Sequence, residues 1–252
     1  MDLMAMLTKV LTKNGLIFAF VLIGLTNLLA YKMAGLTKGR IHGSAVAIFF
    51  GLVLAYIGGG AKGIATIPMF AGIGMMGGAM FRDFAIVSTA FGADLREIKK
   101  VGVVGVLSLV FGLVTSWIAG VAIAYMFGYR SPVDLCTIGA GVATFVVGPV
   151  TGAALGASSE VIAISIAAGV VKSVLVMIMT PFVAKAIGLN NPQSAMVFGG
   201  IMGTTSGTAA GMAAVDPKLV PYCAMTATFY TGSGCLTFTS IFYLLTKAIF
   251  GL

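Results

Sequence analysis

Two segments of the chain combine glycine with hydroxyl side chains inside apolar surroundings. They are Ile138–Ala157 and Ser194–Val215. A broken helix built from such residues exposes backbone N–H groups at the N-terminal end of each half, where the helix dipole favours an anion. Unwound carbonyls and hydroxyls beside these groups can bind a cation such as Na⁺. The sequence therefore predicts a joint site for a small anion and a cation. The candidate anion-binding residues are Gly148, Thr151, Gly152, Thr204, Thr205, Ser206 and Gly207.

Charged residues inside apolar stretches supply further candidates. Arg82 and Asp83 are neighbours in one such stretch, and Lys172 lies in the middle of another. A charge at membrane depth is costly unless it is paired or hydrated. We therefore predict that Arg82 and Lys172 provide counter-charge for an anion, with structural pairing or a position at the membrane edge as the alternative. The predicted sodium ligands are Asp83, Thr144 and Gly203.

The two glycine-rich segments form an internal repeat. Gly148–Gly156 realigns on Gly203–Gly211 with an offset of 55 residues, and three glycines match. A full crossing of each copy would make the copies parallel, whereas re-entrant hairpins would enter from opposite sides as an inverted repeat. About twenty residues provide two arms of about 15 Å, which reach the middle of a core about 30 Å thick. We favour the hairpins, while close helix packing through small residues stays open as the alternative.

The composition places the elements that carry these residues in a membrane. Of 252 residues, 59% are hydrophobic and 9% are charged, and the mean hydropathy is +1.09. A soluble domain carries about 25% charged residues, so a soluble enzyme, a disordered chain and a disulfide-rich secreted module are excluded. We predict an all-α polytopic membrane protein with about six full spans plus the two glycine-rich broken or re-entrant segments. The predicted spans are Gly15–Ala34, Gly43–Gly59, Pro68–Gly92, Val101–Gly128, Ser159–Ile187 and Pro221–Phe250.

The chain is predicted to form one membrane domain. Residues 1–137 would supply N-terminal spans, and residues 138–252 would form the transport half. The net charge of +8 comes mostly from basic residues at the ends of apolar runs, where membrane topology and the anionic leaflet account for them. We therefore expect contact with the lipid bilayer and no nucleic acid. The excess of basic residues in two loops predicts a periplasmic N-terminus.

Three longer runs resemble a known family. They are residues 70–93 (FAGIGMMGGAMFRDFAIVSTAFGA), 148–169 (GPVTGAALGASSEVIAISIAAG) and 194–223 (SAMVFGGIMGTTSGTAAGMAAVDPKLVPYC). They resemble the MadM subunit of bacterial malonate transporters, and the likeness extends from about Gly15 to Gly234. The resemblance implies secondary active symport of the malonate dianion with sodium in the bacterial inner membrane. It also implies a small MadL-like membrane subunit as partner, sodium as coupling ion, no other cofactor and no enzymatic activity.

Other functions stay open at this point. One is the membrane subunit of a sodium-pumping carboxybiotin decarboxylase, which would also contain glycine-rich broken helices. Another is a transporter of a different small dicarboxylate coupled to protons. A channel or a purely structural subunit would use the glycines for packing alone.

Overall fold

The computed structural model describes residues 3–36, 43–58, 67–76 and 95–251. The chain divides into two compact units, Met1–Ser88 and Thr89–Leu252. The regular elements of the described residues are all helical. The predicted sites Arg82 and Asp83 lie outside the described residues.

The first unit is built around one long apolar helix. Its elements are α1 (Leu3–Lys13), α2 (Gly15–Leu36), α3 (Gly43–Gly58), one 3-10 turn (Pro68–Phe70) and α4 (Ala71–Met76). Three alanines are the buried residues of α2, and large side chains such as Ile17 and Leu28 are exposed. Because a soluble helix would bury its large apolar residues, this pattern is typical of a helix that faces lipid.

The second unit contains eight helices in its described part. They are α5 (Leu95–Met126), α6 (Pro132–Ala143), α7 (Val147–Leu155), α8 (Ser159–Val183), α9 (Pro192–Met202), α10 (Thr205–Ala213), α11 (Val220–Thr239) and α12 (Ile241–Phe250). A 3-10 turn, Pro217–Leu219, leads into α11. The core lies between α5, α6, α7 and α11 and includes the fully buried Tyr230 and Phe238.

Three described helices are long and apolar enough to cross a membrane. They are α2 (Gly15–Leu36), the Gly102–Met126 part of α5, and α8 (Ser159–Val183). Pro217–Thr239 and Ile241–Phe250 form a fourth candidate if the pair, bent by 44°, is one span. The multi-pass character predicted from the sequence is confirmed, while the predicted six spans stay a prediction.

Each glycine-rich segment is divided into two short helices, as the sequence predicts. In the first segment, the break at Thr144–Val146 separates α6 from α7, and in the second, Gly203 and Thr204 separate α9 from α10. Pro132 and Pro192 occupy the first positions of α6 and α9, where proline lacks only an N–H that would have no partner in the helix.

The arms of the first segment fold back on each other. A Cβ on Gly148 would lie 2.8 Å from the Gly141 Cα, and a Cβ on Gly152 would lie 2.9 Å from a methyl group of Thr137. Gly141 and Gly148, which are nearer the break, thus lie beside each other, and Thr137 and Gly152, which are farther from it, do the same. The helices α6 and α7 therefore form an antiparallel hairpin with its turn at Thr144–Val146.

The structural register of the repeat differs from the predicted offset of 55. The helices α7 and α10 begin at Val147 and Thr205, 58 positions apart, and both are nine residues long. The alignment on glycines pairs Gly148, which is helical, with Gly203, which lies at a break. The shift arises because the first copy uses this glycine for close packing, whereas the second copy uses it to end a helix.

Candidate functional site

Both breaks contact the middle of the long helix α8. The ammonium group of Lys172 donates a hydrogen bond of 3.0 Å to the carbonyl of Ala143, which ends α6. The next residue, Ser173, shares a short hydrogen bond between hydroxyl groups with Thr204 at the second break. Two consecutive residues of α8 thus form hydrogen bonds to the two breaks. Segments that are about 60 residues apart in sequence therefore lie close together.

Thr144 forms the first turn through its own side chain. Its backbone is extended, with φ −154° and ψ 153°, and its N–H donates to the Ala140 carbonyl. Its hydroxyl oxygen accepts from the N–H groups of Val146 and Val147 at 3.1 and 3.2 Å. Thr144 therefore ends α6, and its hydroxyl oxygen accepts from two N–H groups at the turn, including the first N–H of α7, without a glycine.

The second turn uses glycine and threonine together. Gly203 has φ +69°, and a Cβ there would overlap the ring of Tyr230. Thr204 follows as the N-cap of α10, and its hydroxyl accepts from the N–H of Gly207 at 3.4 Å. The half-buried Thr205 and Ser206 begin α10. Because first-turn N–H groups have no acceptor within their own helix, this end of α10 presents partial positive charge.

Lys172 is a half-buried cation whose ammonium group lies among oxygen atoms and one aromatic ring. Besides the Ala143 carbonyl, its ammonium donates to the hydroxyl of Ser116 at 3.2 Å and lies 5.5 Å from the centre of the Tyr230 ring. The hydroxyl of Tyr230 lies within hydrogen-bond distance of two groups, the Ser116 hydroxyl at 2.7 Å and the carbonyl of Gly112 at 3.1 Å.

Acidic partners for this lysine are absent from its surroundings as far as the structure describes them. No carboxylate of the described residues lies within 4.0 Å of its ammonium group. Asp134 and Glu160 lie in the first turns of α6 and α8, and Asp216 caps the 3-10 turn. These positions are at helix ends, whereas Lys172 is at the middle of α8.

The site therefore combines two electrostatic poles. The carbonyl end of α6 carries partial negative charge and attracts cations, whereas the N–H end of α10 carries partial positive charge and attracts anions. Both ends lie on Lys172 and Ser173. Such an arrangement can hold a carboxylate and a cation beside each other, which is the chemistry expected of a co-transporter.

The sequence comparison decides the family. Residues 7–250 match a family model described as the malonate/sodium symporter MadM subunit, and the match covers nearly the whole chain. The chain belongs to the MadM family. No curated protein and no solved structure matches it. The resemblance found from residues 70–93, 148–169 and 194–223 is thus confirmed.

Membership settles the broad class of activity. MadM is a family of transporter subunits, so the chain is not an enzyme. This confirms the expectation drawn from the resemblance and sets aside the decarboxylase alternative. The family and the apolar helices together identify a multi-pass membrane protein.

The structure brings only some of the predicted site residues of this MadM chain together. Thr144, Gly203 and Thr204 form the two turns, and Lys172 bonds the end of α6. Thr205, Ser206 and Gly207 form the first turn of α10. These seven of the twelve predicted residues therefore share one location, and their role in binding malonate or sodium stays a prediction.

The predicted residues of the first copy lie in α7. Gly148 is the second residue of this helix, directly after the turn, whereas Thr151 and Gly152 lie further along it. A Cβ on Gly152 would lie 2.6 Å from the side chain of Ile162, so this glycine permits α7 to approach α8. Thr151 is fully buried, and its hydroxyl has no hydrogen-bond partner among the described residues. Anion binding by these three residues also stays a prediction.

Three site residues escaped the sequence reasoning. Ser116 and Ser173 are each one of several hydroxyl residues within a long apolar helix, and Tyr230 is one of seven tyrosines. All three are buried. Ser173 follows the mid-span lysine directly, and this adjacency is the one signal that could have found it.

Proposed function

We propose that this MadM chain carries the malonate dianion together with sodium across the bacterial inner membrane, in a complex with a small MadL-like subunit. The observation that carries the proposal is the meeting of both helix breaks at Lys172 and Ser173. A carbonyl end, an N–H end and a lysine at one place match an anion that travels with a cation.

The packing supports an inverted repeat of two re-entrant hairpins. At the N-terminal end of α8, Val161 clusters with Leu135 near the start of α6. At the C-terminal end of α8, Ala184 clusters with Ala195 near the start of α9 and with Met212 near the end of α10. The two broken segments thus have their open ends at opposite ends of α8 and their turns at its middle. Such hairpins would enter the membrane from opposite sides.

The same contacts support an alternating-access mechanism. Ala184, at the end of α8, clusters with Leu219 and Cys223, at the start of α11. Lys172 and Tyr230 meet midway along the two helices, so α8 and α11 run in opposite directions. Two related units of opposite orientation around a central site are the architecture in which one unit can move against the other.

In the proposed binding mode, one malonate carboxylate binds at the start of α10. The backbone N–H groups and hydroxyls of Thr205 and Ser206, with the neighbouring Thr204 and Gly207, are its donors, and Lys172 supplies positive charge. The second carboxylate would bind toward the first copy, whose predicted ligands are Gly148, Thr151 and Gly152. Charge-assisted hydrogen bonds of this kind contribute about 1.5–3 kcal/mol each.

Sodium would bind at the carbonyl end of α6, close to Thr144, and at Gly203. Asp83 and Arg82 keep their proposed roles as sodium ligand and counter-charge. Sodium lowers the cost of burying a dianion at low dielectric, so each ligand increases the affinity of the other. This mutual increase in affinity is the physical basis of symport.

The test is uptake of labelled malonate into proteoliposomes that contain the chain and its small partner, with and without a sodium gradient. We expect saturable accumulation that requires the gradient. Accumulation driven by a proton gradient alone would reject sodium coupling and retain dicarboxylate transport. An absence of uptake under either gradient would reject the proposal.

The binding mode has a matched pair of double variants. Thr205→Ala with Ser206→Ala removes both first-turn hydroxyls and should lower uptake about tenfold or more, since about 1.4 kcal/mol corresponds to a factor of ten. Ser233→Ala with Thr237→Ala removes the same two side-chain types from α11, where they bond to carbonyls of their own helix. This control should transport like the wild type. Equal uptake by both double variants would remove Thr205 and Ser206 from the site.

A further inference from the structure

The contacts of Lys172 resemble those of a bound metal cation. Its ammonium donates to a carbonyl oxygen at the end of a helix, 3.0 Å away, and to a hydroxyl oxygen 3.2 Å away. The face of the Tyr230 ring, 5.5 Å from the nitrogen, adds a further region of negative potential. Carbonyl and hydroxyl oxygens are also the ligands that a sodium ion takes at broken helices.

The lysine and a sodium ion cannot both use the carbonyl of Ala143. The last carbonyls of a helix have no donor within the helix, and they concentrate partial negative charge that favours one cation. Two cations at such a short separation in a buried site repel each other strongly. Whichever cation holds this carbonyl therefore excludes the other.

A substrate carboxylate would decide between them. Lysine is a point charge on a flexible four-carbon stem with three donors, so its ammonium can turn toward a new acceptor without movement of α8. The anion-attracting end of α10 lies at Ser173, the residue beside Lys172. A carboxylate bound there is within the neighbourhood that the lysine side chain samples, and it is a stronger acceptor than a neutral carbonyl.

We infer that the Lys172 ammonium and a sodium ion are alternative occupants of the carbonyl end of α6, and that the substrate carboxylate exchanges one for the other. This inference rests on the proposed symport of malonate and sodium and assigns part of its coupling to one side chain. The carboxylate draws the ammonium away from Ala143, and sodium then binds the released carbonyl. A dianion, the lysine and one sodium ion together carry no net charge, so the loaded site avoids a buried charge.

The experiment measures ²²Na⁺ binding to the purified complex of the chain and its small partner, with and without malonate. In the wild type, malonate should increase the affinity for sodium at least about fivefold, as expected for coupled sites. Lys172→Met and Lys172→Gln should bind sodium without malonate more tightly than the wild type does without it. Malonate should then raise the sodium affinity of these two variants by a smaller factor than in the wild type, because only the direct attraction between the two ligands remains.

The exposed Lys185, just beyond the end of α8, provides the matched control. Lys185→Met also removes one positive charge and should retain the wild-type response to malonate. The inference is overturned if either Lys172 variant, monodisperse by size-exclusion chromatography, keeps a wild-type malonate effect on sodium affinity. It is also overturned if sodium affinity without malonate does not rise in these variants.

Failure of the proposed function gives a different result. A wild-type complex in which malonate and sodium do not affect each other's binding would reject symport itself, and this inference with it. Wild-type coupling that persists in both Lys172 variants would reject the exchange alone and leave symport standing.

Discussion

The two helix breaks differ in how they are built, although they belong to one repeat. At the first break, Thr144 closes the turn with its own hydroxyl, and the two arms pack on each other. At the second break, Gly203 takes a left-handed conformation against Tyr230, and Thr204 bonds outward to Ser173. The Thr144 hydroxyl thus accepts hydrogen bonds within its own segment, whereas the Thr204 hydroxyl also bonds a neighbouring helix.

This difference assigns different chemistry to the two copies. The first break presents the carbonyl end of α6 to Lys172, and the second presents the N–H end of α10 to the adjacent Ser173. If the two turns were strictly symmetric, each would direct the same helix end, carbonyl or N–H, toward α8. The divergence of the copies therefore suits one anion and one cation better than two equal ligands.

The largest expected effect tests the register of 58 residues between the copies. Gly141 and Gly199 are 58 positions apart, and a Cβ on either would overlap the backbone carbonyl of the next long helix, at Ser165 and Cys223 respectively. Gly141→Ala and Gly199→Ala should each lower the free energy of unfolding by about 3 kcal/mol or more, because backbone cannot move aside as a side chain can. Thermal unfolding in detergent measures the loss.

Gly232→Ala on α11 is the control for both substitutions, since a Cβ there meets no atom within 4 Å. It should be neutral or slightly stabilising, because alanine favours a helix by about 1 kcal/mol over glycine. A severe effect at only one of Gly141 and Gly199 would contradict their equivalence in the repeat.

The next largest effect separates conformational strain from contact at the second break. Gly203→Ala places a Cβ in a left-handed residue, which costs about 1–2 kcal/mol, and adds an overlap with the Tyr230 ring. Gly156→Ala has the same strain at φ +75° but meets no atom within 4 Å. We expect Gly203→Ala to lose at least about 1 kcal/mol more than Gly156→Ala and to lose malonate uptake as well.

Equal unfolding temperatures for these two glycine variants would mean that the contact with Tyr230 is unimportant for the second turn. Retained uptake by Gly203→Ala would mean that malonate transport does not require the left-handed conformation of this turn.

Sequence reasoning reached the existence of the breaks but not the position of the first one. Glycine and hydroxyl residues inside apolar runs are unfavourable in lipid-facing helices, so both interruptions could be predicted from residue type. The first turn falls at Thr144 because its hydroxyl accepts hydrogen bonds from two backbone N–H groups. The spacing of the glycines does not predict this. Alignment on glycines therefore assigned Thr151 and Gly152 to the anion site, although both lie inside α7 and beyond the turn.

The central contact of Lys172 could be predicted only in part. A lysine in mid-span indicates a costly charge that needs a partner, and that much follows from sequence. Its acceptors, the Ala143 carbonyl and Ser116, come from α6 and α5. These acceptors are 29 and 56 residues away from Lys172 in sequence. The contacts therefore depend on how the helices pack, which the local pattern of apolar residues does not indicate.

A moderate effect compares the two threonines at the breaks. Thr144→Val and Thr204→Val each remove a hydroxyl that accepts from an N–H group in the first turn of a helix, which costs about 0.5–2 kcal/mol. Thr204→Val also removes the bond to Ser173 and frees the start of α10, so it should raise the half-saturating malonate concentration more than Thr144→Val, which acts on malonate only through the sodium site. Concentration series of uptake under a fixed sodium gradient measure this. Equal shifts in both variants would remove the functional distinction between the turns.

The smallest effect on stability comes from two threonines inside the first hairpin. Thr137 and Thr151 are fully buried, and their hydroxyls have no hydrogen-bond partner among the described residues. An unpaired buried hydroxyl costs about 1–3 kcal/mol, so Thr137→Val and Thr151→Val should each be neutral or stabilise the fold by up to about 1 kcal/mol. Thermal unfolding of the two variants beside the wild type measures this.

Uptake by the same two variants then decides what the first copy does. If the hydroxyl of Thr151 binds substrate, Thr151→Val should weaken malonate uptake while leaving stability intact, and Thr137→Val should transport normally. If the first copy serves only to place the carbonyl end of α6, both variants should transport like the wild type. The second result would confine the anion to the α10 side. It would show that transport does not need the Thr151 hydroxyl, so Thr151 would contribute no side-chain donor to the substrate.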